Sequence, residues 1–206
     1  DPATFGFSLE NLAIPHEQLI AFGQPRDYRP VLDEPQAVPA LADPRLEPRF
    51  DIETTNRRLR GKYLVSDDRV VVVERGGEAR AYPLRILAAH EVVNDTLAGV
   101  PILVTYSPLA DTVAVFDRRL PPPRHAETAA DETAPTVLRF GLAGLVVNQG
   151  HVLYDRTDAG PHSGTESLWL PLPGVAISGP HVGRRLSLLP AQVIHYRQFV
   201  DRYAEP

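Results

Sequence analysis

The 206-residue chain contains no cysteine, which excludes disulfides, thiolate nucleophiles and zinc–thiolate sites and leaves the redox compartment unreadable. Methionine is absent too and the chain opens on Asp1, so the sequence is expected to be a processed or trimmed product, as removal of a signal peptide would explain. No apolar run nears the roughly 18 residues that suggest a membrane span. Lysine is nearly missing: of 21 basic residues only Lys62 is a lysine, and the arginines are scattered rather than striped. Together with a net charge of −5, that pattern argues against a nucleic-acid footprint.

What the chain does contain is ordinary for a soluble globular protein: 43% hydrophobic and 23% charged residues, in a length that suits one domain with a sizeable core. Residues 1–50 carry eight prolines, from Pro2 to Pro48, each fixing φ and removing a donor. This stretch reads as an extended arm on a single globular domain at 51–206. Within the arm, HEQLIAFG after Pro15 has the stop signal of a short helix closing at Gly23.

From Tyr63 onward, KYLVS, RVVVVER and EARAYP are β-rich, and Gly76-Gly77 between the last two is a hairpin signal. Residues 84–95 show helical spacing, with Ile86, Leu87, His90, Val93 and Asn94 on one face, which points His90 inward. A turn at Leu97 to Gly99, a strand VPILVTY, the turn SPLAD and a returning strand TVAVFDR predict a second hairpin. The Pro/Ala/acidic segment 121–136 has the composition of a mobile loop. Strand-like runs then alternate with glycine turns until an amphipathic helix after Pro190 closes the chain. The expected class is α+β, mainly antiparallel sheet with two or three helices.

Candidate chemistry gathers in residues 90–112. Ser107 precedes Pro108, which pushes its backbone toward the extended region and displays its hydroxyl at a hairpin mouth. With His90 as base and Asp111 or Asp95 as orienting acid, Ser107 is a candidate nucleophile, although no nucleophile elbow surrounds it and a turn serine bonding backbone is the plainer reading. His90 reads either as a core histidine or as a base or ligand. Glu91, Asn94, Asp95, Tyr106 and Thr112 are candidate binding residues; Glu91 and Asp95 also read as solvated or capping groups. Tyr154 and Trp169 fit either a binding platform or the core. His90, His151, His181, Glu91, Asp95 and Asp111 offer enough donors for copper or zinc, with His90 the first candidate, but their spacing matches no metal motif. No cofactor is legible.

Three blocks, GEARAYPLRILAAHEVVNDTLAGVPILVTYSPLADTVAVFDR, VLRFGLAGLVVNQGHVLYDR and ESLWLPLPGVAISGPHVGRRLSLLP, together with the lead-in FSLENLAIPHEQLIAFGQPRD, resemble domain-of-unknown-function family 3179 in pattern and order. The resemblance implies a periplasmic or extracellular location, often with a lipid anchor upstream, and no established activity. The chain departs from the family pattern at Ser107-Pro108-Leu109-Ala110, where the family usually begins with cysteine. It departs again at Ala89, where a tryptophan is usual, and after Trp169, at Leu170-Pro171. A member lacking that thiol is expected to bind a small ligand or a protein partner at a pocket near His90 and Ser107. The alternatives are a Ser/His hydrolase-like enzyme and a periplasmic metal-binding protein.

Overall fold

The computed structural model describes residues 5–33, 64–122, 135–157 and 164–203. Two five-stranded sheets form its centre. The first runs in the order β14 (Ser187–Leu188), β7 (Thr112–Asp117), β6 (Val100–Ser107), β5 (Val92–Leu97) and β2 (Leu32–Asp33). The second runs β1 (Ile20–Ala21), β10 (Phe140–Val147), β11 (Gly150–Asp155), β12 (Leu168–Leu170) and β13 (Val175–Ser178). A three-stranded sheet, β15 (Gln192–His195), β3 (Arg69–Arg75) and β4 (Glu78–Pro83), and a short β8–β9 pair (Arg119–Leu120, Thr136–Val137) complete the strands. All pairings are antiparallel except β2 with β5. With two α-helices among the described residues, α1 (Leu84–His90) and α2 (Tyr196–Tyr203), this is the expected α+β class.

Alternation along the strands builds the layers. On β6, Ile102, Val104 and Tyr106 face one way and pack with Val71, Val73 and Tyr82 of the three-stranded sheet and Leu87 of α1. Leu103, on the opposite face, packs with Ala114 and Phe116 against Phe140, Leu153 and Trp169 of the second sheet. β6 is therefore buried on both faces, which explains its nearly continuous apolar run. The far face of the second sheet is covered by the N-terminal segment through Phe7 and Leu19, and α2 covers the three-stranded sheet through Phe199.

The N-terminal segment is held in place at a β-bulge. β10 changes register between Leu142 and Val146, where Gly144 has φ +74°, and a Cβ there would lie 2.5 Å from the Gln24 carbonyl oxygen. Only glycine permits that approach of backbone to backbone. The helix expected after Pro15 is a three-residue 3₁₀ turn, His16–Gln18, because Ile20 and Ala21 leave it to pair with Val146 and Leu145.

The helix expected over 84–95 also ends early. Glu91 takes φ +64° and stops α1, and Val92 to Leu97 then pair residue for residue with Thr105 back to Val100. The β-branched Val92-Val93 pair suits a strand, and six ladder positions with a buried neighbour outweigh a helical apolar spacing. The C-terminal helix starts at Tyr196 rather than just after Pro190, because residues 192–195 pair with β3. Most of the segment read as a mobile loop, residues 123–134, lies outside the described residues.

Candidate functional site

The strands β6 and β7 carry a second kind of side chain on the face that meets the other sheet. Leu103 continues as Thr105 and Ser107, and the partners opposite these two are Ala114 and Thr112. From the facing sheet, β11 sends His151, Leu153 and Asp155 inward, while Val152 and Tyr154 join the outer cluster. The interface is thus apolar around Leu103, Phe116, Phe140 and Trp169, and polar two residues further along, where Thr105 meets His151.

At the polar end lies a cavity of about 210 Å³ lined by Thr105, Ser107, Thr112, Asn148 and His151, with Ala114, Val147, Pro171 and Leu172 among the apolar walls. Among the described residues, no side chain of Arg, Lys, Asp or Glu lines it. Ser107 is 5% exposed, and its hydroxyl has no hydrogen-bond partner among the described residues. Its register neighbour Thr112 and the turn residue Asn148 likewise leave their side-chain polar groups unpartnered there.

Behind the cavity wall runs a line of three groups. Thr105 Oγ1 is 2.8 Å from His151 Nε2, and His151 Nδ1 is 3.5 Å from Glu91 Oε2. Glu91 is placed by its left-handed position at the end of α1 and held from the N-terminal segment: Tyr28 donates its hydroxyl to Oε2 at 2.8 Å and Arg29 Nε lies 2.9 Å from Oε1. Burial pushes the His151 imidazole down to about 4, so it is neutral at neutral pH. A neutral imidazole carries one proton; Nδ1, with Glu91 Oε2 at 3.5 Å, is buried and makes no hydrogen bond among the described residues. The Thr105 hydroxyl and Nε2 share one hydrogen bond, whose direction follows the tautomer. Burial raises the Glu91 carboxyl above the usual carboxylate range, opposed by the Tyr28 hydrogen bond and the Arg29 charge. Burial and the Glu91 contact likewise push the Tyr28 phenol up.

The residues singled out from the sequence divide among several places. Ser107 and Thr112 line the cavity, and Glu91 stands behind it. His90 does not line it: its Nδ1 sits 2.6 Å from the Pro30 carbonyl, because the strand that begins at Val92 turns the helix end toward the N-terminal segment. Asp111 lies outside the lining as well, in a two-pronged pair with Arg69 at 2.9 and 3.1 Å and accepting the Tyr106 hydroxyl at 2.9 Å. Glu91 and Asp95 are buried rather than solvated, and Asp95 is held by Arg80 at 2.6 Å and by the Tyr82 hydroxyl at 2.6 Å. Asn94 is buried, accepting the Phe140 N–H and donating to the Phe140 carbonyl, both at 2.9 Å. Tyr154 and Trp169 are core aromatics. Among the described residues no three of His, Asp and Glu come together as a metal site, and His181 stands apart, 3.8 Å from Asp155.

His151 was visible only as one donor among many, and Thr105 not at all. The signal that marks them is a break in alternation: one face of VPILVTYS is apolar throughout, and the other changes from Leu103 to two hydroxyls.

Over residues 35–206 the chain matches the model of the family described as a protein of unknown function, DUF3179, and it belongs to that family. No curated protein and no solved structure matches it.

Proposed function

We propose that this member of the DUF3179 family binds a small, uncharged organic molecule in the cavity at the polar end of its two-sheet interior. The observation that carries the reading is Ser107, a serine 5% exposed whose hydroxyl faces a cavity without a protein partner. The side chain is otherwise covered while its hydroxyl opens on the cavity, so it offers a hydrogen bond to a ligand group placed there. The volume, about 210 Å³, is below the range of drug-sized sites, so the ligand is small. The absence of a lining charge sets its class. A bare cation or anion would lose its hydration with no opposite charge in the lining, and the Glu91 carboxylate behind His151 further disfavours an anion.

Such a ligand places a hydroxyl, amide or carbonyl against Ser107, Thr112 and Asn148 and its apolar part against Val147, Pro171 and Leu172. Saturation-transfer NMR with a panel of small alcohols and amides, matched by carboxylates and ammonium ions of the same shape, tests this. Neutral members are expected to give transfer to wild type and none to Ser107→Leu, which fills the cavity. Equal transfer to both proteins, or a preference for the ions, defeats the proposal. A location outside the cytoplasm belongs to the same reading, supported by the resemblance to an exported family; fractionation of the producing cell checks it.

A further inference from the structure

The line Glu91, His151, Thr105 is longer than a binding site requires. A ligand needs the free hydroxyl of Ser107, yet Thr105 has its own imidazole at 2.8 Å, and that imidazole has its own carboxylate at 3.5 Å. A hydroxyl hydrogen-bonded to an imidazole, with a carboxylate 3.5 Å from the far ring nitrogen, is close to the arrangement by which hydroxyl nucleophiles are activated, and such contacts tighten once substrate is bound. Thr105 and His151 both line the cavity. Asn148 lines it too, with an amide that has no protein partner among the described residues and is available to an oxyanion.

We propose that the cavity supports acyl transfer, with Thr105 as nucleophile, His151 as its base and Glu91 as the positioning carboxylate. The inference rests on the binding reading above and names the substrate class as small, uncharged carboxylic esters. Thr105 Oγ1 forms a bond to the ester carbonyl carbon while its proton passes to His151 Nε2. The bond from that carbon to the alkoxy oxygen breaks, and the departing oxygen takes the proton from Nε2. Water then attacks the acyl-threonine, gives a proton to Nε2, and leaves a carboxylic acid as Thr105 recovers its proton. Ester and water become acid and alcohol, with no change of oxidation state.

His151 is a weak base, because burial opposes the imidazolium, so both steps are slow. With an activated ester, whose leaving group departs without needing a proton, acylation outruns deacylation, and the acyl-enzyme accumulates and is open to direct observation. Intact-mass analysis after incubation with p-nitrophenyl acetate, followed by acid digestion and peptide sequencing, reads it. One acetyl group on Thr105 is expected. Thr105→Ser should keep it, Thr105→Val should abolish it, and His151→Asn should slow its formation by about a hundredfold. Glu91→Gln, which keeps the Tyr28 and Arg29 contacts in reach, is expected to slow acetylation and change its pH profile without unfolding the chain, which circular dichroism checks. Acetylation that persists in Thr105→Val, maps to Ser107, or never forms overturns the proposal. Amide resonances of Thr105 and Ser107 that shift with a neutral amide while no adduct forms sink the acyl step alone; silence in both measurements sinks the binding reading with it.

Discussion

The two ends of the interior between the five-stranded sheets are built on the same strands and differ in what they do with burial. At one end Leu103, Phe116, Phe140 and Trp169 close on each other, with the Phe140 and Trp169 rings 5.7 Å apart and edge-on. The polar group buried there is satisfied: Asp155 accepts the Ser167 N–H at 2.6 Å and the Trp169 indole N–H at 3.0 Å. At the other end, one pleat further along β6 and β11, the same alternation delivers Thr105, Ser107 and His151, the packing opens into a cavity, and the Ser107 hydroxyl is left without a partner. The first end contributes stability through dense packing. The second gives up packing and leaves hydroxyls and an imidazole facing open space.

The contrast predicts opposite responses to substitution. The largest effect belongs to the apolar end: Phe140→Ala removes a buried ring from contact with Trp169 and should cost about 3–5 kcal/mol in urea unfolding, while fragment binding at the cavity survives in the folded fraction. A cost below about 1 kcal/mol would erase the distinction between the ends.

Next comes the pH response of the polar end. His151 titrates near 4 when folded and near 6.5 when unfolded, so between those values the unfolded chain binds a proton that the folded chain refuses. Its contribution to stability is whole above about 6.5 and is lost as pH falls toward 4, by roughly 3 kcal/mol in all. Glu91, raised by burial, works in the opposite direction as pH rises, and other carboxylates titrate in the same window. The His151 share is therefore read as the difference in pH slope between wild type and His151→Phe. Equal slopes would mean that the imidazole is not buried as described.

A smaller loss is expected for Asn94→Ala, which strips the Phe140 N–H and carbonyl of their partners where β5 meets β10: about 2 kcal/mol. The smallest stability change is expected for Ser107→Ala. Its hydroxyl bonds no group among the described residues, so stability should move by less than about 0.5 kcal/mol while affinity for a neutral fragment falls roughly tenfold, as measured by titration. Phe140 and Ser107 together form the sharpest contrast: one residue matters to the fold and not the ligand, the other the reverse.

Much of the scaffold was legible in the sequence because local signals agreed with the fold. Gly76-Gly77 joins β3 to β4, and the strand pattern around residues 100–117 gives β6 and β7. Helical spacing misled at 91–95, where pairing with β6 overrode it, and around Pro15 and Pro190, where short runs joined distant strands. The candidate site was half visible. Ser107 and Thr112 stood out by their turn; Thr105 and His151 did not, because the pairing that brings them to 2.8 Å spans two sheets and 46 positions of chain. The same separation explains why His90 was preferred to His151. Closeness in sequence to Ser107 stood in for closeness in space, and the N-terminal segment, through Pro30, holds His90 elsewhere.

The proposed activation of Thr105 requires a neutral His151 with its proton on Nδ1, the nitrogen nearer Glu91, and a bare Nε2 toward Thr105, which ¹⁵N NMR of histidine-labelled protein observes directly. The account predicts a His151 ring protonated at Nδ1 and bare at Nε2, unchanged from pH 8 down to about 5 and titrating only near 4. A His151 proton found on Nε2, or a midpoint close to the ordinary value of about 6.5, would contradict it.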